Sequence, residues 1–145
     1  MQRILAIDYG GKRTGIAVTD TEQIIASGLT TVDTQQIFVF LTNYLTREKV
    51  ESIVVGDPKN LNNTPAESSS KTYEFIGKLK KKYPELPVYL VDERYTSKMA
   101  FQAMIDGGLK KKDRQNKATV DKVSAALILQ SFMEMKKSGK IPQPV

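Results

Sequence analysis

Apolar and polar positions along this chain change rhythm several times, and each change marks an element. Ile4-Leu5-Ala6-Ile7 is an unbroken apolar run, long enough for a buried strand and too short for a typical helix. It predicts a first strand over Arg3 to Tyr9. After the Gly10-Gly11 turn, Gly15-Ile-Ala-Val-Thr-Asp20 predicts a second strand, and Ile24 to Val32 a third. Strands joined by short turns predict an antiparallel meander. The rhythm then becomes helical. From Thr34 to Lys49, the residues Ile37, Phe38, Phe40, Leu41, Tyr44 and Leu45 fall on one side of a helix, with Asp33 or Thr34 as N-cap. Ser52-Ile-Val-Val-Gly56 is a short apolar strand, stopped by Asp57-Pro58.

A second helix is predicted to start at Pro65-Ala66-Glu67 and to run through Tyr73, Phe75, Ile76 and Leu79 to Pro84. Pro87 to Val91 is another strand, ending at Asp92-Glu93-Arg94. Ser97 to Ile105 reads as helical, with Gly107-Gly108 stopping it. A last helix is expected from about Val120 to Lys136, and Gly139 opens a tail. One domain over residues 1–138 with a tail over 139–145 follows, since no linker, repeat or low-complexity tract divides the chain. A strand–helix–strand connection in one sheet makes its strands parallel. The expected architecture is α/β and RNase H-like: a mixed five-stranded sheet in βββαβαβα order flanked by helices, with residues 97–105 adding one more helix before the last.

That order brings chemistry together. Asp8 ends the first strand, Glu93 ends the last, and Asp121 lies at the start of the last helix. Ligand sites in open α/β sheets form beyond the carboxyl ends of the strands. Carboxylates gathered there repel one another unless a cation or protons offset the charge. Each has a plainer reading: Asp8 as a turn residue before glycine, Asp92-Glu93-Arg94 as a solvated ion cluster, Asp121 as a first-turn residue favoured by the helix dipole behind a Thr119 cap. Asp20 and Asp57 also end strands and read more easily as turn residues. If one strand lies between the parents of Asp8 and Glu93, their backbones stand about 10 Å apart. Their side chains must then converge, or Asp57 must bridge them.

Composition narrows the chemistry. The chain of 145 residues contains no cysteine and no histidine. Disulfides, thiolate sites, Ser-His-Asp and Cys-His mechanisms and the usual zinc site are excluded. A metal here takes oxygen ligands, which favours Mg²⁺, Mn²⁺ or Ca²⁺. Paired divalent ions about 4 Å apart can cleave a phosphodiester without histidine. Lysine plus arginine number 22 against 16 acids, a net charge of +6, compatible with a polyanionic partner. Lys78, Lys80, Lys81 and Lys82 form one cluster; Lys110, Lys111, Lys112, Arg114 and Lys117 form another in a stretch poor in apolar residues. The second reads as a loop that is either simply solvated or in contact with nucleic acid. Lys12 and Arg13 sit in the glycine turn beside Asp8, where Arg13 can grip a phosphate with two parallel hydrogen bonds. Arg94 either steadies Glu93 or meets substrate. No apolar run is long enough to span a bilayer and no leader is visible, so no membrane is expected and a cytoplasmic location is.

The motif Ala6-Ile-Asp-Tyr-Gly-Gly-Lys-Arg-Thr-Gly-Ile-Ala-Val-Thr-Asp20, followed by Ile53-Val-Val-Gly56, Asp92-Glu-Arg-Tyr-Thr96 and Val120-Asp-Lys-Val-Ser-Ala-Ala-Leu-Ile-Leu-Gln130, resembles the YqgF/RuvX family over nearly the whole chain. That family is the pre-16S rRNA nuclease group, once called Holliday junction resolvase-like. The resemblance implies an RNase H-like fold and a Mg²⁺- or Mn²⁺-dependent phosphodiesterase that matures the 5′ end of 16S rRNA. Its partners would be structured precursor rRNA and pre-ribosomal particles. It implies Asp8, Glu93 and Asp121 as the acidic catalytic and metal-holding set, and Lys12 and Arg13 as the basic turn. The chain departs from the family where Gly-Leu-Pro-Leu-Asn is replaced by Gly56-Asp-Pro-Lys-Asn60, and where a following Asp-Gly-like turn reads Asn62-Asn63-Thr64. Asp57 then either joins the metal site or caps its loop. A branched-DNA nuclease and a non-catalytic nucleic-acid-binding module compete with this reading. The first motif also resembles the phosphate loop of actin-like ATPases and sugar kinases, but those use two domains around a cleft.

Overall fold

The structure, a computed structural model, describes residues 2–58, 69–92 and 116–145. Its strands are β1 (Arg3–Asp8), β2 (Arg13–Thr19), β3 (Ala26–Asp33), β4 (Val50–Asp57) and β5 (Val88–Asp92), and its helices α1 (Ile37–Arg47), α2 (Ser69–Lys82) and α3 (Lys117–Lys137). The strands form one sheet in the order β3-β2-β1-β4-β5. β1–β2 and β2–β3 are antiparallel, as a meander requires; β1–β4 and β4–β5 are parallel, as strand–helix–strand crossovers require. The helix expected over 97–105, its Gly107-Gly108 stop and the Pro65 start of α2 lie outside the described residues.

Helices cover both faces of the sheet, and the alternation of side chains along each strand assigns residues to one layer or the other. Leu5 and Ile7 of β1, Ile16 and Val18 of β2 and Ile53 and Val55 of β4 face α1 and α2, meeting Leu41, Phe75 and Leu79. Ile4 and Ala6, with Ala17 and Val54, face α3. β1 lies inside the sheet between both layers, which explains why all of Ile4 to Ile7 are buried and why the run shows no polar alternation. α3 presents Ala125, Ile128, Leu129, Phe132 and Met133, the i, i+3, i+4, i+7, i+8 stripe of a single packed face.

Several boundaries differ from expectation, each for a local reason. β3 starts at Ala26 rather than Ile24, because the Asp20 carboxylate accepts the backbone N–H groups of Ile24 (2.7 Å) and Ile25 (2.8 Å) and holds them in the turn. Asp20 is thus the turn residue its sequence suggests. α1 is preceded by a 3₁₀ turn over Thr34–Gln36, and neither Asp33 nor Thr34 caps it. Asp33 makes no capping bond, and the Thr34 hydroxyl is committed to the Gly10 carbonyl at 2.7 Å. α3 starts at Lys117 because the Asn116 side chain, not that of Thr119, caps it, accepting from the N–H groups of Ala118 and Thr119. In α2, Thr72 takes a buried place while Tyr73 stands outside the packed face. The tail turns at Gly139 and returns to the sheet edge, where the Val145 N–H donates to the Val88 carbonyl at 2.8 Å. Among the described residues, no helix is long and apolar enough to cross a membrane.

The backbone N–H of Ile25, helped by those of Ile24 and Glu22, holds the Asp20 carboxyl below its ordinary value of 3.8. A depressed folded-state pKa contributes stability above the unfolded value and loses it as pH falls through the folded one. Asp20→Ala is therefore expected to lower the urea midpoint at neutral pH, with the gap to the parent protein closing in acid below that lowered pKa.

Candidate active site

Asp8 closes β1 on the face that Ile4 and Ala6 present to α3. Directly across the ladder it pairs with Gly15 of β2. A Cβ at Gly15 would lie 2.1 Å from the carbonyl oxygen of Asp121, so the second turn of α3 rests on bare strand backbone. The same register that pairs Asp8 with Gly15 therefore brings Asp121 to the corner that Asp8 occupies. Arg13, two residues before Gly15 and on the same face of β2, donates its Nε–H to Asp121 Oδ2 at 2.9 Å. Thr31 of β3 donates to the Ala118 carbonyl at 2.5 Å, and Asn116 caps the helix, so the approach of α3 is fixed at its first turn as well.

The glycine turn is tight in its own right. A Cβ at Gly10 would lie 2.3 Å from the Arg13 carbonyl oxygen, whereas Gly11 faces open space. Only Gly11 therefore offers a ligand close approach to backbone; Gly10 is spent on the turn. Lys12 is exposed at its tip, its carbonyl accepting from the Thr34 N–H at 2.9 Å.

The structure thus pairs Arg13 with Asp121 and, through Gly15, places Asp121 at the corner where Asp8 ends its strand. Glu93, Arg94, Lys110, Lys111 and Lys112 lie outside the described residues. Asp57 does not bridge toward Asp8. Ile7 pairs with Val55, so Asp57 falls on their face of the sheet, toward α1 and α2 and away from Asp8. There it is buried and accepts a hydrogen bond from the Tyr73 hydroxyl at 2.8 Å. That bond, more than burial, raises the Tyr73 pKa above its ordinary value. β4 separates β1 from β5, so the strand that ends at Asp92 is one strand removed from that of Asp8. The Arg13–Asp121 pair was not foreseen, because no local pattern links a strand residue to a helix residue so far along the chain.

Among the described residues, no three acidic side chains come close enough together to hold a metal ion. Asp8 and Asp121 are nevertheless two oxygen donors at one corner of the sheet, and Mg²⁺ commonly takes one or two carboxylates and keeps water in its other positions. The corner fits a hard divalent ion, with Arg13 offsetting part of its negative charge.

A mixed sheet in this order, with α3 on one face and α1 and α2 on the other, is the RNase H-like fold. T. thermophilus RuvC, solved in complex with Holliday junction substrate, shares it with a TM-score of 0.65 at 18% identity, covering 99% of this chain and 100% of that one. The family model RuvX, described as Holliday junction resolvase, matches residues 2–135, and the chain belongs to that family. A Phocaeicola vulgatus protein is 60% identical over 137 residues, spanning 94% of this chain and 99% of its own length. A Bacteroides fragilis protein is 56% identical over 137 residues, with the same coverage. Both carry the name "Putative pre-16S rRNA nuclease".

Two substitutions probe these contacts. Gly15→Ala forces α3 off the strand, because a backbone carbonyl cannot swing aside, and is expected to cost about 2 kcal/mol or more in urea unfolding. Parent-like stability would show that the helix seat is not tight. Tyr73→Phe removes the hydroxyl that reaches Asp57 and is expected to cost about 1 kcal/mol by the same measurement.

Proposed function

We propose that this protein is a divalent-metal-dependent endonuclease that hydrolyses phosphodiester bonds in precursor 16S rRNA, processing its 5′ end within pre-ribosomal particles in the cytoplasm. The observation that carries the reading is the meeting of Asp8 and Asp121 at one corner of the sheet, with Arg13 paired to Asp121. The names of relatives 60% and 56% identical, over nearly their full lengths, support the choice of substrate.

In this reading Asp8 and Asp121, completed by Glu93, hold Mg²⁺ or Mn²⁺. Such ions supply a water nucleophile at neutral pH and charge stabilisation at the phosphate. Arg13 orients the Asp121 carboxylate and presents its guanidinium toward an arriving phosphate. Lys12, exposed on the turn, attracts the nucleic-acid backbone, as Arg94 and the Lys110-Lys111-Lys112 run do from their own segment. The net charge of +6 speeds encounter with a polyanion. Asp57, sealed against α2, takes no part in holding the ion.

A second reading, a branched-DNA resolvase, is favoured by the family description and by the likeness to RuvC. One assay separates them. The purified protein is incubated with a 16S precursor and with a four-way DNA junction, with and without Mg²⁺ or Mn²⁺. The expected result is metal-dependent cleavage of the RNA that falls about a hundredfold or more in Asp8→Asn, since even a group one layer behind a metal ligand is commonly worth about 10- to 100-fold. Cleavage of the junction alone favours the second reading. Cleavage unaffected by Asp8→Asn removes Asp8 from the site.

A further inference from the structure

The rim beside the glycine turn has two sides. Asp8 faces α3; Tyr9, next in the chain, packs against the α1–α2 layer. Its ring stacks on Phe75 of α2, with centroids 4.4 Å apart and planes 16° from parallel. Phe38 of α1 tilts against the same Phe75 ring at 5.5 Å. These rings line a cavity of about 360 Å³ that opens between the glycine turn, the 3₁₀ turn and α2. Lys71 and Lys78, both exposed, stand at its lip, and Gly11 contributes bare backbone on the turn side. Glu74 lies between the two lysines and, behind burial, contributes to a raised Tyr9 pKa.

We propose that this cavity seats one unpaired nucleotide of the substrate strand, its base against the aromatic wall and its adjoining phosphates on Lys71 and Lys78. The proposal rests on the nuclease reading and adds to it the form of nucleic acid beside the cut: an unpaired stretch of the substrate strand. Aromatic rings combined with cations along a groove are the arrangement that holds single strands, because every base has a π-face and every linkage a charge. The volume lies within the range of pockets for small ligands, about 300–1,000 Å³. The two lysines are seven residues apart, about 10 Å along the helix, and so flank the opening rather than crowd it. Glu74 repels a phosphate from between them and can accept from the amino group of a base, which orients the nucleotide with its base inward. Asp8 and Tyr9 are consecutive, their Cα atoms about 3.8 Å apart, so the cavity opens on the same rim as Asp8 but on the other face of the sheet.

The test is binding of a fluorescent, single-stranded oligoribonucleotide of about ten nucleotides, measured by anisotropy in EDTA across a salt series. The double variant Lys71→Gln/Lys78→Gln is compared with Lys80→Gln/Lys81→Gln, which makes the same charge change on the same helix outside the cavity. The expected result is an affinity about tenfold weaker at low salt in the first, with the log–log salt slope shallower by about 1.4, the value for two phosphates on a single strand. The second is expected to change affinity by less than about twofold. 5-Iodouridine in the strand is expected to cross-link to a peptide containing Tyr9 or Phe38. Equal losses in the two variants, cross-links confined to other peptides, or no binding of the strand by the parent protein would each overturn the seat. Cleavage assayed in parallel keeps the two claims apart. Binding with these properties in a protein that never cuts defeats the nuclease and leaves the seat; normal cutting with unchanged binding in Lys71→Gln/Lys78→Gln does the reverse.

Discussion

The first turns of helix α3 can approach this sheet as closely as they do only where the strands beneath them carry no side chains. Gly15 of β2 and Gly28 of β3 supply those gaps, under the carbonyl groups of Asp121 and Lys122 respectively. Ala6 and Ala17 keep the rest of the contact shallow, so that Ile128, Leu129 and Phe132 reach the strands. The magnitudes show what holds the helix there. Each large apolar side chain buried contributes about 1.5–3 kcal/mol. A partly exposed ion pair such as Arg13–Asp121, whose side chains are 38% and 24% exposed, contributes about 0–1 kcal/mol. Burial therefore sets the position of α3, and the arginine only trims the direction of one carboxylate. The acidic corner is a by-product of hydrophobic packing rather than of attraction between its own charges, which would drive it apart.

The sheet also sorts its carboxylates. Asp8 and Asp57 end neighbouring parallel strands, yet they open to opposite layers, and only Asp8 shares its corner with Asp121. Separating them through the thickness of the sheet keeps the charge of Asp57 away from Asp8. Asp57, buried on the other face, accepts instead from a tyrosine hydroxyl, a neutral donor for a buried acceptor.

Much of this was legible in the sequence, and the gaps have physical causes. The element order, the mixed five-stranded sheet and the pairing directions follow from periodicity and connection length, because those patterns are set by the side chains that must be buried; the order of strands across the sheet and the division of helices between its faces come from the structure. The apolar stripe of α1 is where its spacing placed it. Element ends were less legible, because they depend on single hydrogen bonds: Asp20 takes two residues from β3, Thr34 leaves the capping role for Gly10, and Asn116 starts α3 ahead of Thr119. The facing of Asp57 required the register of β4 against β1, and a strand read alone carries no register. The contact of Arg13 with Asp121 joins distant parts of the chain and left no local signal, although Gly15 inside a buried strand is a hint that another backbone comes close.

Asp8 and Tyr9 illustrate how little freedom this arrangement leaves to the length of β1. Because strand residues alternate between faces, inserting or deleting one residue ahead of Asp8 would rotate the carboxylate into the aromatic layer and swing the phenol toward Asp121. Both halves of the rim would fail together, though every residue type was still present. Changes in the length of this segment can be tolerated only in pairs, which makes the count of residues from Arg3 to Tyr9 as much a part of the site as their identity.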